Sequence, residues 1–249
     1  MKHYLTILLF ALLSSCANRE KKVDIPAVED LPTATLTDQQ KAEGWRLLFD
    51  GVSTTGWQIF KGQENNTWEV ADGTLHCKAV DENIAGVGDK RSDIMTTEEF
   101  ENFELQFDWK ISAQANSGIM FRVTEEFEQP YFTGPEYQIV DDNNYPGGKL
   151  TDLQMTGACY DMYAGTNRTV NPVGEWNTSK IIANGNHIEH WLNGSKVLEY
   201  EIDSPDWAKR RDASKWKDVK GYGVPKKGHI DLQDHGNEVW FRNIMIKVI

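Results

Sequence analysis

Phe103-Glu104-Leu105-Gln106-Phe107-Asp108-Trp109-Lys110-Ile111 sets an apolar residue at every odd position and a polar or charged one at every even position. Side chains that alternate across a sheet turn that order into one dry face and one wet face, so the stretch reads as a half-buried β-strand. Downstream, Asn116 to Val123 repeats the pattern, with Ile119, Phe121 and Val123 on one side and Met120 and Arg122 on the other. Upstream, Trp68 to Leu75 breaks at Asp72-Gly73, a hairpin signal, and Asp93 to Met95 spells a short strand. Further on, Glu175 to Ala183, His187 to Leu192 and Lys196 to Tyr200 are separated by two Asn-Gly turns and predict a meander. Gly157 to Tyr163, Gly228 to Gln233 and Val239 to Val248 supply the remaining strand candidates.

Helical signals are few. Thr37-Asp38-Gln39-Gln40 is a capping box for a short helix that Gly44 stops, and Asp206 caps a charged helix running to about Val219. Many short strands with two peripheral helices predict an all-β fold, a sandwich of two antiparallel sheets. Between Asn143 and Pro172 the chain is rich in Gly, Asn, Asp and Thr, a length of loop suited to a site wall or lid.

The 249 residues carry a formal net charge of -12, which disfavours nucleic acid and anionic membrane surfaces as partners. Nine Trp, eight Tyr and ten Phe provide core packing and also flat surface of the kind that stacks on sugar rings. At the N-terminus a basic Met1-Lys2-His3, an apolar run from Tyr4 to Leu13 too short to span a bilayer, and Leu13-Ser14-Ser15-Cys16 resemble a bacterial lipoprotein leader. That resemblance implies a signal peptide over 1–15, lipid attachment at Cys16, a flexible tether over 16–36 and a single domain over 37–249, held by its lipid at the cell envelope. Cys77 and Cys159 are too few and too scattered for a metal site and read as buried small hydrophobes.

Two runs break the rule that inward strand positions are apolar. Gly134-Pro135-Glu136-Tyr137-Gln138-Ile139-Val140-Asp141-Asp142 puts Glu136 and Gln138 on one face, and Leu232-Gln233-Asp234-His235-Gly236 puts Gln233 and His235 on one face. A carboxylate, an imidazole and two amides then converge on one surface, if the two runs meet. Asp141, Asp142 and Asn143 offer oxygens to calcium, but acidic loop runs are usually just solvated, and no metal is predicted. No glycine-rich phosphate loop, His-Glu zinc helix or G-x-S-x-G elbow occurs, which argues against nucleotide and serine-hydrolase chemistry.

Several ordered motifs carry a wider resemblance. They are Glu43-Gly44-Trp45, Leu48-Phe49-Asp50-Gly51, Gly56-Trp57, Asn116-Ser117-Gly118-Ile119 with Phe121-Arg122, Gly134 to Gln138, Gly174-Glu175-Trp176-Asn177, His190 to Gly194, Leu232 to Gly236 and Phe241-Arg242-Asn243-Ile244. From about Gln39 to the C-terminus the chain resembles the 3-keto-disaccharide hydrolase family. The resemblance implies a concanavalin-like jelly roll and cleavage of a glycoside already oxidised at carbon three, by elimination and then hydration.

On that implication Glu136 or His235 is the base and the other its acid or orienting partner, with Arg122 or Lys180 stabilising the enolate oxygen. Gln138, Asp142, Trp176, Gln233 and His190 are then the sugar-positioning candidates. Laminarinase-type glycosidases carry E-x-D-x-x-E on a strand, whereas this chain has Glu136-x-Gln138-x-x-Asp141, which speaks against ordinary retaining hydrolysis. A non-catalytic sugar-binding lectin and an ordinary glycoside hydrolase are the alternative readings.

Overall fold

The protein is described here from a computed structural model, over residues 34–79 and 90–249. The leader read at 1–15, the lipidation site Cys16 and the tether up to residue 33 lie outside the described residues.

Thirteen strands are formed among the described residues: β1 (Arg46–Leu47), β2 (Trp57–Ile59), β3 (Trp68–Ala71), β4 (Thr74–Cys77), β5 (Ile94–Thr96), β6 (Phe103–Ile111), β7 (Asn116–Val123), β8 (Glu136–Val140), β9 (Asn177–Asn184), β10 (His187–Leu192), β11 (Ser195–Glu201), β12 (His229–Leu232) and β13 (Val239–Val248). They make two antiparallel sheets. The first runs β11-β10-β9-β6-β13-β4-β3 with β1 beside β13, and the second runs β2-β5-β12-β7-β8. This is the two-sheet sandwich that the alternating runs predict and the jelly roll that the family resemblance implies.

In β6, Phe103, Leu105, Phe107, Trp109 and Ile111 are buried while the intervening residues are only half-buried. Their rings meet the second sheet edge-on. Phe103 contacts Phe121 of β7 at 6.2 Å between centroids, and Phe107 contacts Tyr137 of β8 at 5.8 Å. Each such ring contributes roughly 1.5–3 kcal/mol by burial, and edge-on pairs add about 0.5–1.5 kcal/mol. The polar atoms carried inward are paired, since Trp109 Nε1 and the Tyr137 hydroxyl both bond Ser179 Oγ, at 2.8 and 2.9 Å. At the β10–β11 turn Asn193 and Gly194 both take positive φ, which is what a two-residue hairpin loop demands. Cys77 and Cys159 are free and buried, as expected of small hydrophobes.

Three elements differ from the expectation. The first helix, α1 (Asp38–Ala42), has its Thr37–Gln40 capping box, but the second, α2 (Pro205–Ala213), starts one residue before Asp206 and stops short of Val219. Ser204 is its cap, accepting the Trp207 N–H at 3.0 Å, so Asp206 falls in the first turn. Gly157 to Tyr163 is a compact turn held by isolated bridges from Cys159 to Tyr137 and Tyr163, not a strand. In β7 the alternation fails at Arg122, whose φ of 57° makes a bulge, so Val123 joins the face of Met120.

After α2 the chain doubles back over the second sheet. Tyr163, Tyr200, Trp207, Tyr222 and Trp216 stack in a continuous column with centroid spacings of 4.8, 5.7, 5.5 and 4.4 Å. The column ties the segment after α2 to β11, at the edge of the first sheet.

Candidate active site

The site lies on the outer face of the second sheet. Register aligns Gln58, Met95, Asp231, Met120 and Glu136 as one rung across its five strands. Residues opposite one another in an antiparallel pair share a face, so Asp231 and Glu136 point the same way, and Gln138 and Gly118 follow on the next rung. Gln233, just past β12, donates its N–H to Gly118 O at 3.0 Å and extends the same floor. Loops roof this face, which is why every residue of β8 is buried although alternate ones are polar.

Glu136, Gln138, Asn116, Gln233 and His235 line a cavity of about 220 Å³ walled by Tyr131, Tyr160, Lys215 and Trp216. Below the ~300–1,000 Å³ of drug-sized sites, it suits one sugar ring between a polar floor and aromatic walls. The two distant stretches read as convergent therefore meet.

Gly118 makes room for the carboxylate. A methyl built there would lie 2.3 Å from Glu136 Oε1 and 2.8 Å from its Cγ, while the Gly118 backbone needs no positive φ. The residue is small so that Glu136 can lean across β7 towards Asp231 and Gln233. Gly118→Ala is expected to leave the circular dichroism spectrum intact and to lower kcat/KM about 10²-fold, because a displacement near 1 Å costs that much. An unaltered rate would show that the carboxylate does not work from this place.

Burial drives the Glu136 carboxyl up to about 8, with the Lys215 charge opposing and Asp93 adding to the rise. Lys215 is lowered by burial, against the pull of Glu136 and Asp161. Its Nζ sits 4.1 and 4.3 Å from the ring centroids of Tyr160 and Trp216. The cavity thus opposes one carboxyl that titrates near neutrality to one ammonium held between aromatic faces. His235 stands exposed at the rim, and partial desolvation makes it less basic than usual.

Beside the floor, Asp231 is fully buried between Met95 and Met120. Asp93 accepts the Asp234 N–H at 2.8 Å and interacts electrostatically with Asp231. Burial raises Asp93 to about 7, and burial together with the Asp93 charge raises Asp231 well above the carboxylate range.

Glu136, Gln138, Gln233 and His235 are brought together as expected; the other candidates are not. Arg122 is turned by its bulge to the Glu101 and Gly185 carbonyls, at 3.0 and 2.6 Å. Lys180 faces outward on the opposite sheet, since β9 buries its neighbours Ser179 and Ile181, and its Nζ lies over Trp191 at 4.5 Å. Trp176 is on that outer surface as well, covered by Arg242 at 3.9 Å. His190 is a core residue bonded to Gly157 O at 3.0 Å, and burial lowers it to about 4, so it is neutral. Asp142 is paired with Arg168 at 2.8 Å and lines a different cavity. Asp141 accepts the N–H groups of Gln114, Asn143 and Asn144, which occupy the lone pairs a calcium ion would need.

Sequence reasoning missed Lys215, Trp216, Tyr131, Tyr160, Asn116 and Asp231. Asn116 and Asp231 had a signal, since strand parity puts Asn116 with Gly118 and Asp231 with Gln233. Lys215 and Trp216 had none, because only the early end of α2 points them at the sheet.

Residues 44–247 match the 3-keto-alpha-glucoside-1,2-lyase-like domain. The chain belongs to that family. A 3-keto-disaccharide hydrolase of Bacteroides thetaiotaomicron is 32% identical over 231 residues, covering 84% of this chain and 79% of the relative. The crystal structure of a “putative glycosyl hydrolase” from Parabacteroides distasonis is 41% identical, with a TM-score of 0.78 over 87% of this chain and 99% of that one. An endo-beta-1,3(4)-glucanase of family GH16, SCLam, superposes with a TM-score of 0.51 at 9% identity over 87% of this chain and 94% of its own, a likeness of fold alone. All the cavity-lining residues fall within the part that matches the lyase-like family.

Proposed function

We propose that this enzyme cleaves glycosides whose sugar already bears a ketone at carbon three, by base-initiated elimination followed by hydration. The observation that carries this reading is the single carboxyl–ammonium pair, Glu136 and Lys215, in a cavity for one sugar ring. The lyase-like family and the Bacteroides relative support carbohydrate as the substrate class.

The ketone acidifies the hydrogen on carbon two. Glu136, ionised, takes that proton, and the C–H electrons pass to the carbon-three oxygen as an enolate. Lys215 Nζ stabilises the enolate, the role expected of Arg122 or Lys180. The enolate then re-forms the ketone and expels the oxygen on carbon one, which leaves with a proton as the free alcohol or sugar. Water adds across the resulting double bond, its hydroxyl going to carbon one and a proton returning to carbon two, so the sum is hydrolysis. A base with a pKa near 8 suits the first step, being strong enough for a C–H acid and still ionised in useful amount. Asn116, Gln138 and Gln233 hold hydroxyls, and His235 at the rim relays the leaving-group proton.

The deciding experiment supplies a panel of 3-keto glucosides and their unoxidised parents to the purified protein and identifies products by mass and NMR. Release of the alcohol from the keto compounds alone, with exchange of the carbon-two hydrogen in deuterated water, is the expected result. Release from the parents would favour an ordinary glycosidase; binding without consumption would favour a lectin.

The leader supports a lipid-anchored protein of the bacterial cell envelope. Cys16→Ala is expected to shift the protein from membrane to soluble fractions, and an unchanged distribution would remove the anchor.

A further inference from the structure

A second, larger cavity of about 640 Å³ shares no lining residue with the first. The two are separated by the end of β8 and the turn that follows Thr151. This partition is stitched by Gln138 Nε2 to Gln154 O at 3.2 Å and by Thr156 Oγ1 to Val140 O at 2.9 Å.

The chemistry of the walls is specific. Asp142 and Arg168 neutralise one another, and the Asp141 carboxylate is taken up by the surrounding N–H groups, so the wall offers no unpaired cation to an anionic ligand. Asn177 is almost wholly buried. Its Oδ1 accepts the Asn171 N–H and an Asn193 Nδ2 hydrogen, both at 2.8 Å, its Nδ2 bonds to nothing among the described residues, and the residue lines the cavity. The Asn144 and Asn171 side chains donate into the protein, to Asp141 and to Trp176 O, which leaves their amide oxygens as acceptors. Met155, Val170 and Pro172 give an apolar side.

A lining of amide donors and acceptors and hydrogen-bonded carboxylates beside an apolar wall complements a ring that has hydroxyls on its edge and C–H groups on its face. The geometry points to this cavity as an accessory carbohydrate site that binds a neutral sugar unit without turning it over, with Asn177 Nδ2 as its anchoring donor. Its size, within the ~300–1,000 Å³ range of ligand sites, and its hydrogen-bonded walls leave little to reorganise on binding. Nothing in this inference depends on the reaction assigned to the first cavity.

The test titrates ¹⁵N-labelled protein with maltose, an unoxidised neutral disaccharide, and follows the side-chain amides of Asn144, Asn171 and Asn177. Saturable shifts at these amides are expected, and they should persist in Trp216→Ala, which opens only the first cavity. Asn177→Asp keeps the two bonds at Oδ1 and removes the donor, so affinity read at Asn144 and Asn171 should fall at least about tenfold. Val173→Trp, at the exposed mouth, should block the same shifts with the fold intact. Neither change should alter the rate on a 3-keto glucoside of a small alcohol. No saturable shift in the parent, shifts that survive both substitutions, or shifts lost in Trp216→Ala would overturn the assignment.

Discussion

Glu136→Gln is expected to lower kcat on a 3-keto glucoside by about 10²–10⁴-fold while the protein still binds substrate. The amide keeps the shape of the side chain and its place over Gly118 but cannot accept the carbon-two proton. In the parent, activity should rise with pH through a limb near 8, where the buried carboxyl ionises. A variant that retains turnover with that limb intact would take the base role from Glu136.

The same substitution has a stability signature of opposite sign. The folded chain holds a proton on Glu136 up to about 8, whereas the unfolded chain releases it near the ordinary glutamate value of 4.5. Between those values the native state binds more protons, so stability falls as pH rises. Full ionisation costs on the order of 5 kcal/mol, at one pKa unit per ~1.4 kcal/mol. Glutamine cannot titrate, so the Tm of Glu136→Gln should exceed the parent's near pH 9 and converge with it near pH 5. Parallel melting curves across that interval would mean that the carboxyl is not held proton-bound by its surroundings.

Lys215→Met should reduce kcat by about 10²–10³-fold, the usual cost of removing a group aimed at developing negative charge. Methionine fills much of the same space between Tyr160 and Trp216, so the walls should stand. The pH profile separates an electrostatic role from a structural one. The Lys215 charge holds Glu136 down, so its loss must move the acidic limb to higher pH. A limb that stays in place, or a rate that does not change, would reduce Lys215 to a wall residue.

The sandwich was legible because its strands spell a one-sided pattern. Phe103 to Ile111 can be read only one way, and the Asp72-Gly73 and Asn193-Gly194 turns fix their neighbours. The floor of the site was legible for the same reason, since Glu136 and Gln138 occupy strand positions where a core would place apolar residues. What failed was whatever depended on a departure from regular geometry. Arg122 obeys the alternation on paper, and one residue with positive φ takes it elsewhere. Lys180 and Trp176 are properly placed on strands or at their ends, but on the other sheet, and no local pattern says which sheet a strand joins. Lys215 depends on where a helix stops, which the Ser204 cap shifts by a residue at the start and packing sets at the end.

The stacked column from Tyr163 to Trp216 fastens one wall of the pocket to the far sheet, while Glu136 and Gln138 belong to the near one. The buried carboxyl of Glu136 and the ammonium of Lys215 that faces it are thus held by different parts of the fold. A change in the stretch after α2 that keeps Lys215 and Trp216 can therefore reshape the aromatic wall while the strands that carry Glu136 and Gln138 stay in place.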